Sequence, residues 1–318
     1  MNRFQKKILK VYIEFKKICD DNNIRYFAYG GTAIGVLRHH GFIPWDDDID
    51  ILMPYPDCLK LMDIIEKAKP KLSIEMSERS FINGSDQNLF KVFSKNNTFA
   101  GATVNSPEDF IGIFVDVFPL IGLPDDDTER ENFCKEIIKL RKEIYYDIPF
   151  TVSDNIDNIE KLQKLFAKYD YEKSVIVATP MLDEGDRQFS KDDFIDPIEM
   201  KFENTKMWVS KNNDSQLKEE YGDYMKLPPK SARIAGHASK AFVDLDKPYS
   251  YYIKEINKSS IKNYIDYING EAIRLKRELS TKSKKIISLN LENESLKQPS
   301  IRQSITYIKK AIRRRIIK

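Results

Sequence analysis

The chain has 318 residues, 41% of them hydrophobic, with 18 Phe and 16 Tyr, enough apolar mass for one large or two small domains. No run of about 18 uncharged apolar residues occurs, so no membrane-crossing helix is expected. The net charge of +3 hides an asymmetry: residues 271–318 hold 14 Lys/Arg against 4 Asp/Glu, which leaves a mildly acidic body and a basic tail.

The N-terminal stretch MNRFQKKILKVYIEFKKI is charged throughout and lacks the apolar core and cleavage site of a signal peptide. Cys19, Cys58 and Cys134 are too far apart for a disulfide framework or a zinc spacing. Each reads as a small buried hydrophobe, and a reducing cytoplasm is the expected location.

In chain order, Phe4, Ile8, Val11, Phe15 and Ile18 recur at helical spacing and predict an amphipathic helix over 3–20. A strand follows at 26–29, then the pair Gly30-Gly31, then a helix over 32–38. A Gly-Gly turn lets the backbone approach a ligand closely, and a following helix start favours anions. A strand at 49–53 ends at Pro54 and Pro56, and a helix is expected over 57–67.

Strands are expected at 72–77 and 89–94, with Asn83-Gly84 as a turn between them, and a β-rich apolar segment at 110–118. Helices are expected at 128–147 and 156–173, and a short β unit at 198–209. The next helix is capped by Asn213-Asp214-Ser215 and stops at Tyr221-Gly222.

Trp45–Pro54 reads WDDDIDILMP. On a strand, side chains alternate faces, so Asp48 and Asp50 share one face while Ile49 and Ile51 enter the core. Asp46 joins that face if the strand starts early, and Asp47 points away. Paired carboxylates on a rigid strand repel each other and are tolerable when a divalent cation lies between them. Oxygen-only ligands favour Mg²⁺ or Mn²⁺ over zinc.

A third acid, Asp116, sits inside the apolar run Phe114-Val115-Asp116-Val117. This run buries an acid among apolar residues unless Asp116 faces the acidic pair, as a ligand or as a base; the alternative is a strand-end acid capping the turn at Pro119. Lys91, a cation in Leu89-Phe-Lys-Val-Phe93, needs an anion nearby and is assigned to a diphosphate. His39, His40 and Trp45 are read as structural.

The stretch YGGTAIGVLRHHGFIPWDDDIDILMP resembles the signature of the LicD family of bacterial phosphotransferases, relatives of the fukutin group. Asp116-Val-Phe-Pro119 with Gly122-Leu-Pro124, and Tyr221-Gly-Asp-Tyr-Met225 with Leu227-Pro-Pro229, resemble its later blocks. The likeness spans roughly residues 5–240. The gap from Gly31 to Asp48 is longer than in the wider nucleotidyltransferase superfamily but normal for LicD proteins.

The resemblance implies an α/β (α+β) fold, a nucleotidyltransferase-like mixed sheet with flanking helices, over residues 1–250. It implies metal ligands at Asp48, Asp50 and Asp116, with Asp46 as a further one. Asp116, Asp48 and Asp50 are then the catalytic acids. Gly30, Gly31, Thr32 and Arg38 would lie against the donor phosphates with Lys91, and the late His237 is added by likeness to the family.

The implied reaction is metal-dependent transfer of phosphocholine from a CDP-activated donor to a sugar hydroxyl of a lipid-linked or polymeric cell-surface glycan, such as teichoic acid, capsule or lipopolysaccharide precursor. CDP-glycerol, CDP-ribitol and CDP-ethanolamine are alternative donors. A nucleotidyltransferase leaving CMP on its product, and a non-catalytic membrane-bound scaffold, are the rival readings.

Beyond residue 250 the pattern changes. Ile261, Ile265, Ile268, Ala272, Leu275, Leu279, Lys282, Ile286, Leu289, Asn293 and Leu296 step by alternating fours and threes. This is a heptad seam over 251–298 that predicts a long helix or a coiled coil, and with the latter a homo-oligomer.

Residues 299–318 place Ile301, Ile305, Ile308, Ile312 and Ile316 on one face of a basic helix. Such a tail suits the inner face of the bacterial plasma membrane as a peripheral anchor. Nucleic acid is not expected as a partner, since no reader motif accompanies the basic residues.

Overall fold

The computed structural model describes residues 1–77, 90–101, 110–145, 152–180, 188–234 and 241–255, with Arg274, Lys282 and Lys285 as isolated helical positions. The expected turn at Asn83-Gly84, His237, the heptad segment and the basic tail otherwise lie outside these residues. By its contacts the chain divides into two units, Met1–Ile265 and Asp266–Lys318. The following concerns the first. No described helix is long and apolar enough to cross a membrane.

Helix α1 (Arg3–Asp21) opens with a capping box between Asn2 and Gln5, and it buries Ile8, Leu9, Val11, Tyr12, Phe15 and Ile18. The strand β1 (Phe27–Ala28) leads into α2 (Gly30–Ile34). That helix widens into one π-helical turn, Gly35–His39, where the sequence pattern predicts a single helix from Thr32. Next come β2 (Asp50–Pro54), α3 (Tyr55–Ala68), β3 (Ile74–Ser77), β4 (Phe90–Ser94) and β5 (Thr98–Gly101).

The strand β6 spans Phe114–Gly122, with all nine residues buried. The expected β segment at 110–118 is thus shifted. Gly112 presses against the backbone of Ser94, where a Cβ would meet the Ser94 carbonyl oxygen at 1.7 Å. The Ile113 N–H is taken by the Asn97 side chain at 2.6 Å. Residues 110–113 therefore cross the β4–β5 connection, with only an isolated bridge from Ile111 to Phe99.

After β6 come α4 (Asp127–Tyr145), α5 (Val152–Phe166), β7 (Ile176–Ala178) and β8 (Gln188–Ser190). The expected β unit at 198–209 is the hairpin β9 (Ile198–Phe202) and β10 (Thr205–Val209). Helix α6 (Asn213–Tyr221) ends at Gly222 with φ +64°, as a glycine stop should. Its N-cap is Asn212, not the Asn213–Ser215 run, and no side chain caps it. Strand β11 (Ala241–Asp244) pairs with β5, and α7 (Tyr249–Glu255) is the last described element of the first unit.

The main sheet is mixed, in the order β1-β2-β6-β4-β3, with β7 paired to the far end of β6 and β8 to β7. β2 and β6 run parallel; the other pairs are antiparallel. Pro119 is tolerated in this central strand. On the side its missing N–H faces, β4 pairs only as far as Val117 and β7 begins at Ile121.

The two faces of the sheet differ. Ile51, Met53, Val115, Val117 and Ile121 join the large core with α1 and α3. Leu52, Phe118 and Leu120 belong to a smaller cluster with Phe27, Tyr29, Tyr171, Val177 and Phe194. Alternation along β2 and β6 therefore puts Asp50 and Asp116 on the face away from the helical core. None of the three cysteines is in a disulfide and all are buried, consistent with their reading as small hydrophobes.

Candidate active site

Asp50 and Asp116 are Cα partners across the parallel pair β2 and β6, and Lys91 is the partner of Asp116 on β4. The three side chains form a row over three adjacent strands. The Asp116 N–H donates to the Ile49 carbonyl at 2.9 Å, which locks the register. Asp116 is 4% exposed, and the Lys91 ammonium is ion-paired with its carboxylate and lies 3.7 Å from the Phe114 ring centre. The cation expected at a diphosphate therefore holds the third acid of the site.

The acidic run precedes the strand rather than lying on it. β2 begins only at Asp50, so Asp46–Asp48 occupy a loop. Carboxylate oxygens of Asp46, Asp47 and Asp48 all lie within 4.8 Å of one another. Asp47, expected to point away, is buried and joins the cluster. Strict alternation applies only to a pleated strand, and the turn after Ile43 releases these residues from it.

The electrostatics record the crowding. Burial, and then the neighbouring charge of Asp48, push the Asp46 carboxyl up to about 8. Asp50 is held well above the usual carboxylate range by burial and by Asp48, Asp116 and Asp46, and Lys91 only partly offsets this. Such a group of acids needs protons or a cation to share its space. The all-oxygen donor set, with a buried third acid alongside, fits a hard divalent ion.

The glycine turn lies against this cluster. The Tyr29 N–H donates to the Asp50 carbonyl at 3.0 Å. Gly30 follows with φ +50°, a conformation that favours glycine. A Cβ on Gly31 would stand 3.1 Å from an Asp46 carboxylate oxygen. Thr32 is buried, and its hydroxyl oxygen accepts the Asp50 N–H at 2.8 Å. Thr32 thus ties the turn to the first residue of β2.

Arg38 lies further along. It donates to His39 Nε2 at 3.0 Å and to the Tyr224 carbonyl.

Two residues of the site were not singled out from sequence. Gln5 donates to the Ile43 carbonyl at 3.3 Å and to the Asp46 carbonyl at 2.8 Å, so α1 holds both ends of the turn that carries the acids. Its signal was the buried polar residue within a capping box. Tyr221 presents its hydroxyl 3.3 Å from where a Gly30 Cβ would be; its place in the Tyr221–Met225 block was visible but its role was not.

Residues 23–122 match the family model described as LicD/FKTN/FKRP, nucleotidyltransferase domain. The chain is 26% identical over 254 residues to the lipopolysaccharide cholinephosphotransferase LicD of Haemophilus influenzae, a match covering 74% of this chain and 95% of that protein. Shorter matches reach uncharacterized proteins of Rickettsia typhi, 37% identical over 68 residues, and Rickettsia prowazekii, 40% identical over 63 residues. They cover 20% and 19% of this chain, and 22% and 24% of those proteins.

Proposed function

We propose, for a chain whose residues 23–122 belong to the LicD nucleotidyltransferase-domain family, that it transfers phosphocholine from CDP-choline to a hydroxyl of a cell-surface glycan. The observation that carries this is the pairing of Asp50 with Asp116 beside the Asp46–Asp48 cluster, with Asp50 and Asp46 against the Gly30-Gly31 turn. The likeness to the Haemophilus influenzae lipopolysaccharide cholinephosphotransferase over nearly its whole length supports the choice of transferred group and glycan class.

Asp48, Asp50 and Asp116, with Asp46, would hold Mg²⁺ or Mn²⁺. When bound, such an ion neutralises charge on the diphosphate and on the departing CMP. The backbone at Gly30 and Gly31 borders the donor phosphates.

An acceptor hydroxyl attacks the phosphorus that carries choline, in line with the bridging oxygen. A P–O bond forms to the sugar and the P–O bond to CMP breaks. The hydroxyl proton passes to a carboxylate of the cluster, for which Asp116 is the proposed base, and the freed CMP carries the electron pair away. The ion pair with Lys91 orients Asp116 for this role.

The basic segment 299–318 supports, on sequence alone, a position at the inner membrane surface, where lipid-linked glycans are built.

The deciding experiment incubates the full chain with CDP-choline, CDP-glycerol, CDP-ribitol and CDP-ethanolamine plus Mg²⁺ and a glycan acceptor, and follows CMP. With label in the CMP moiety, free labelled CMP is expected, fastest from CDP-choline. Label on the acceptor would replace this reading with nucleotidyl transfer, and no release from any donor would sink it.

A further inference from the structure

The π-helical turn Gly35–His39 is held by unusual backbone. His40 has φ +54°, and the Gly41 N–H reaches back to the Gly35 carbonyl at 3.3 Å. A Cβ on Gly35 would stand 2.6 Å from the Gly41 carbonyl oxygen. The β9–β10 turn clamps the segment. The Glu203 N–H donates to the His40 carbonyl at 2.8 Å, and the Glu203 carboxylate accepts the Phe42 N–H at 3.0 Å. Single π turns of this kind recur at functional sites.

Arg38 and Arg233 are both tied to the His39–Trp45 pair: Arg38 Nε donates to His39 Nε2 at 3.0 Å, and Arg233 lies over the Trp45 ring. The Arg38 guanidinium is held below its ordinary proton affinity by burial and then by Arg233. Arg233 lies with its guanidinium carbon 5.1 Å from the Trp45 ring centre, and its Nε donates to the Pro228 carbonyl at 2.9 Å. His39 packs edge-on to the same ring at 6.3 Å.

Among the described residues neither arginine is ion-paired with an acid, and Arg38 Nη2 and both Nη groups of Arg233 make no hydrogen bond. Guanidinium groups do not relieve repulsion by losing a proton. A planar fork held over an indole, with Nη donors that bond no described residue, is suited to phosphate.

We propose that Arg38 and Arg233, with Trp45, the residue before the acidic cluster, as the platform for Arg233, form a phosphate-binding subsite. It takes a phosphate oxyanion of a substrate, from either the donor diphosphate or a phosphodiester of the glycan acceptor. Only the identity of that substrate rests on the proposed function; the anion site itself can be measured without it.

The test titrates inorganic pyrophosphate into the full chain in EDTA by calorimetry. Wild type is expected to bind, more weakly at high salt. Arg233→Gln is expected to lose about tenfold or more in affinity, Arg233→Lys to lose less, and Asp48→Asn to lose none. Absence of wild-type binding, equal binding by Arg233→Gln, or loss in Asp48→Asn alone would overturn the subsite.

A second arm separates the sources under Mg²⁺. A raised donor KM in acceptor-free CMP release by Arg233→Gln identifies the donor phosphates. A raised acceptor KM with an unchanged donor KM identifies the acceptor. Unchanged values for both overturn the proposal. If no CDP-alcohol releases CMP even with wild type, the proposed function fails while the pyrophosphate titration still decides the subsite.

Discussion

Asp50 and Asp116 are directly opposite each other on parallel strands β2 and β6, on the face of the sheet away from the helical core. Like charges placed directly opposite on a sheet destabilise it. The pair differs in support: Asp116 is ion-paired with Lys91, while Asp50 sits among Asp48, Asp116 and Asp46.

That difference predicts opposite stability effects from two similar substitutions. Asp50→Asn relieves repulsion and is expected to raise the melting temperature in EDTA. Asp116→Asn strips Lys91 of its counterion and is expected to cost about 2 kcal/mol. Both are expected to lower phosphocholine transfer by about a thousandfold. Melting curves of the two variants that shift in the same direction would contradict the assignment of Lys91 to Asp116.

The raised carboxyls also set a pH dependence. Asp46 titrates near 8 in the folded chain and Asp50 well above its ordinary value, so between about pH 4 and pH 8 the folded state holds more protons than the unfolded one. Their contribution to stability is present at low pH and is lost as pH rises toward 8. In EDTA the melting temperature should therefore fall by about 5 °C or more from pH 5.5 to pH 8. Mg²⁺ should reverse the fall at pH 8, and Asp46→Asn should flatten the profile.

The two glycines of the turn should fail in different ways. Gly30→Ala forces an L side chain into φ +50° and against the Tyr221 hydroxyl, at about 1–2 kcal/mol of stability. In Gly31→Ala the new methyl meets only an Asp46 carboxylate oxygen at 3.1 Å. The chain should stay folded while Mg²⁺ binding weakens, because Asp46 must swing aside. Calorimetric Mg²⁺ titration and thermal melts on each variant separate the two.

Gln5→Ala removes both side-chain bonds that hold the acidic loop to α1. About 1–2 kcal/mol of stability should go with them. The more telling readout is Mg²⁺ affinity, expected to fall about tenfold although Gln5 belongs to no ligand set. Unchanged affinity would mean that the loop holds its shape without α1.

Much of this was legible in the amino-acid order because it depends on local periodicity. The helical spacing of Ile8, Val11 and Phe15 marks α1, and Gly222 at φ +64° marks the end of α6. The alternation of Asp50 with Ile51 marks which face of β2 enters the large core. An acid inside the apolar run of β6 also announces itself, since Asp116 is not left in such a strand without a partner.

Only the tertiary structure decided which partner that is. Strand pairing sets Asp116 between Asp50 and Lys91, and register is a long-range choice that no local pattern encodes. The same holds for Asp47, drawn into the cluster because a turn, not a strand, carries residues 46–48. It holds again for Arg38 and Arg233, far apart in the chain, whose charges meet beside Trp45 only once the fold is made.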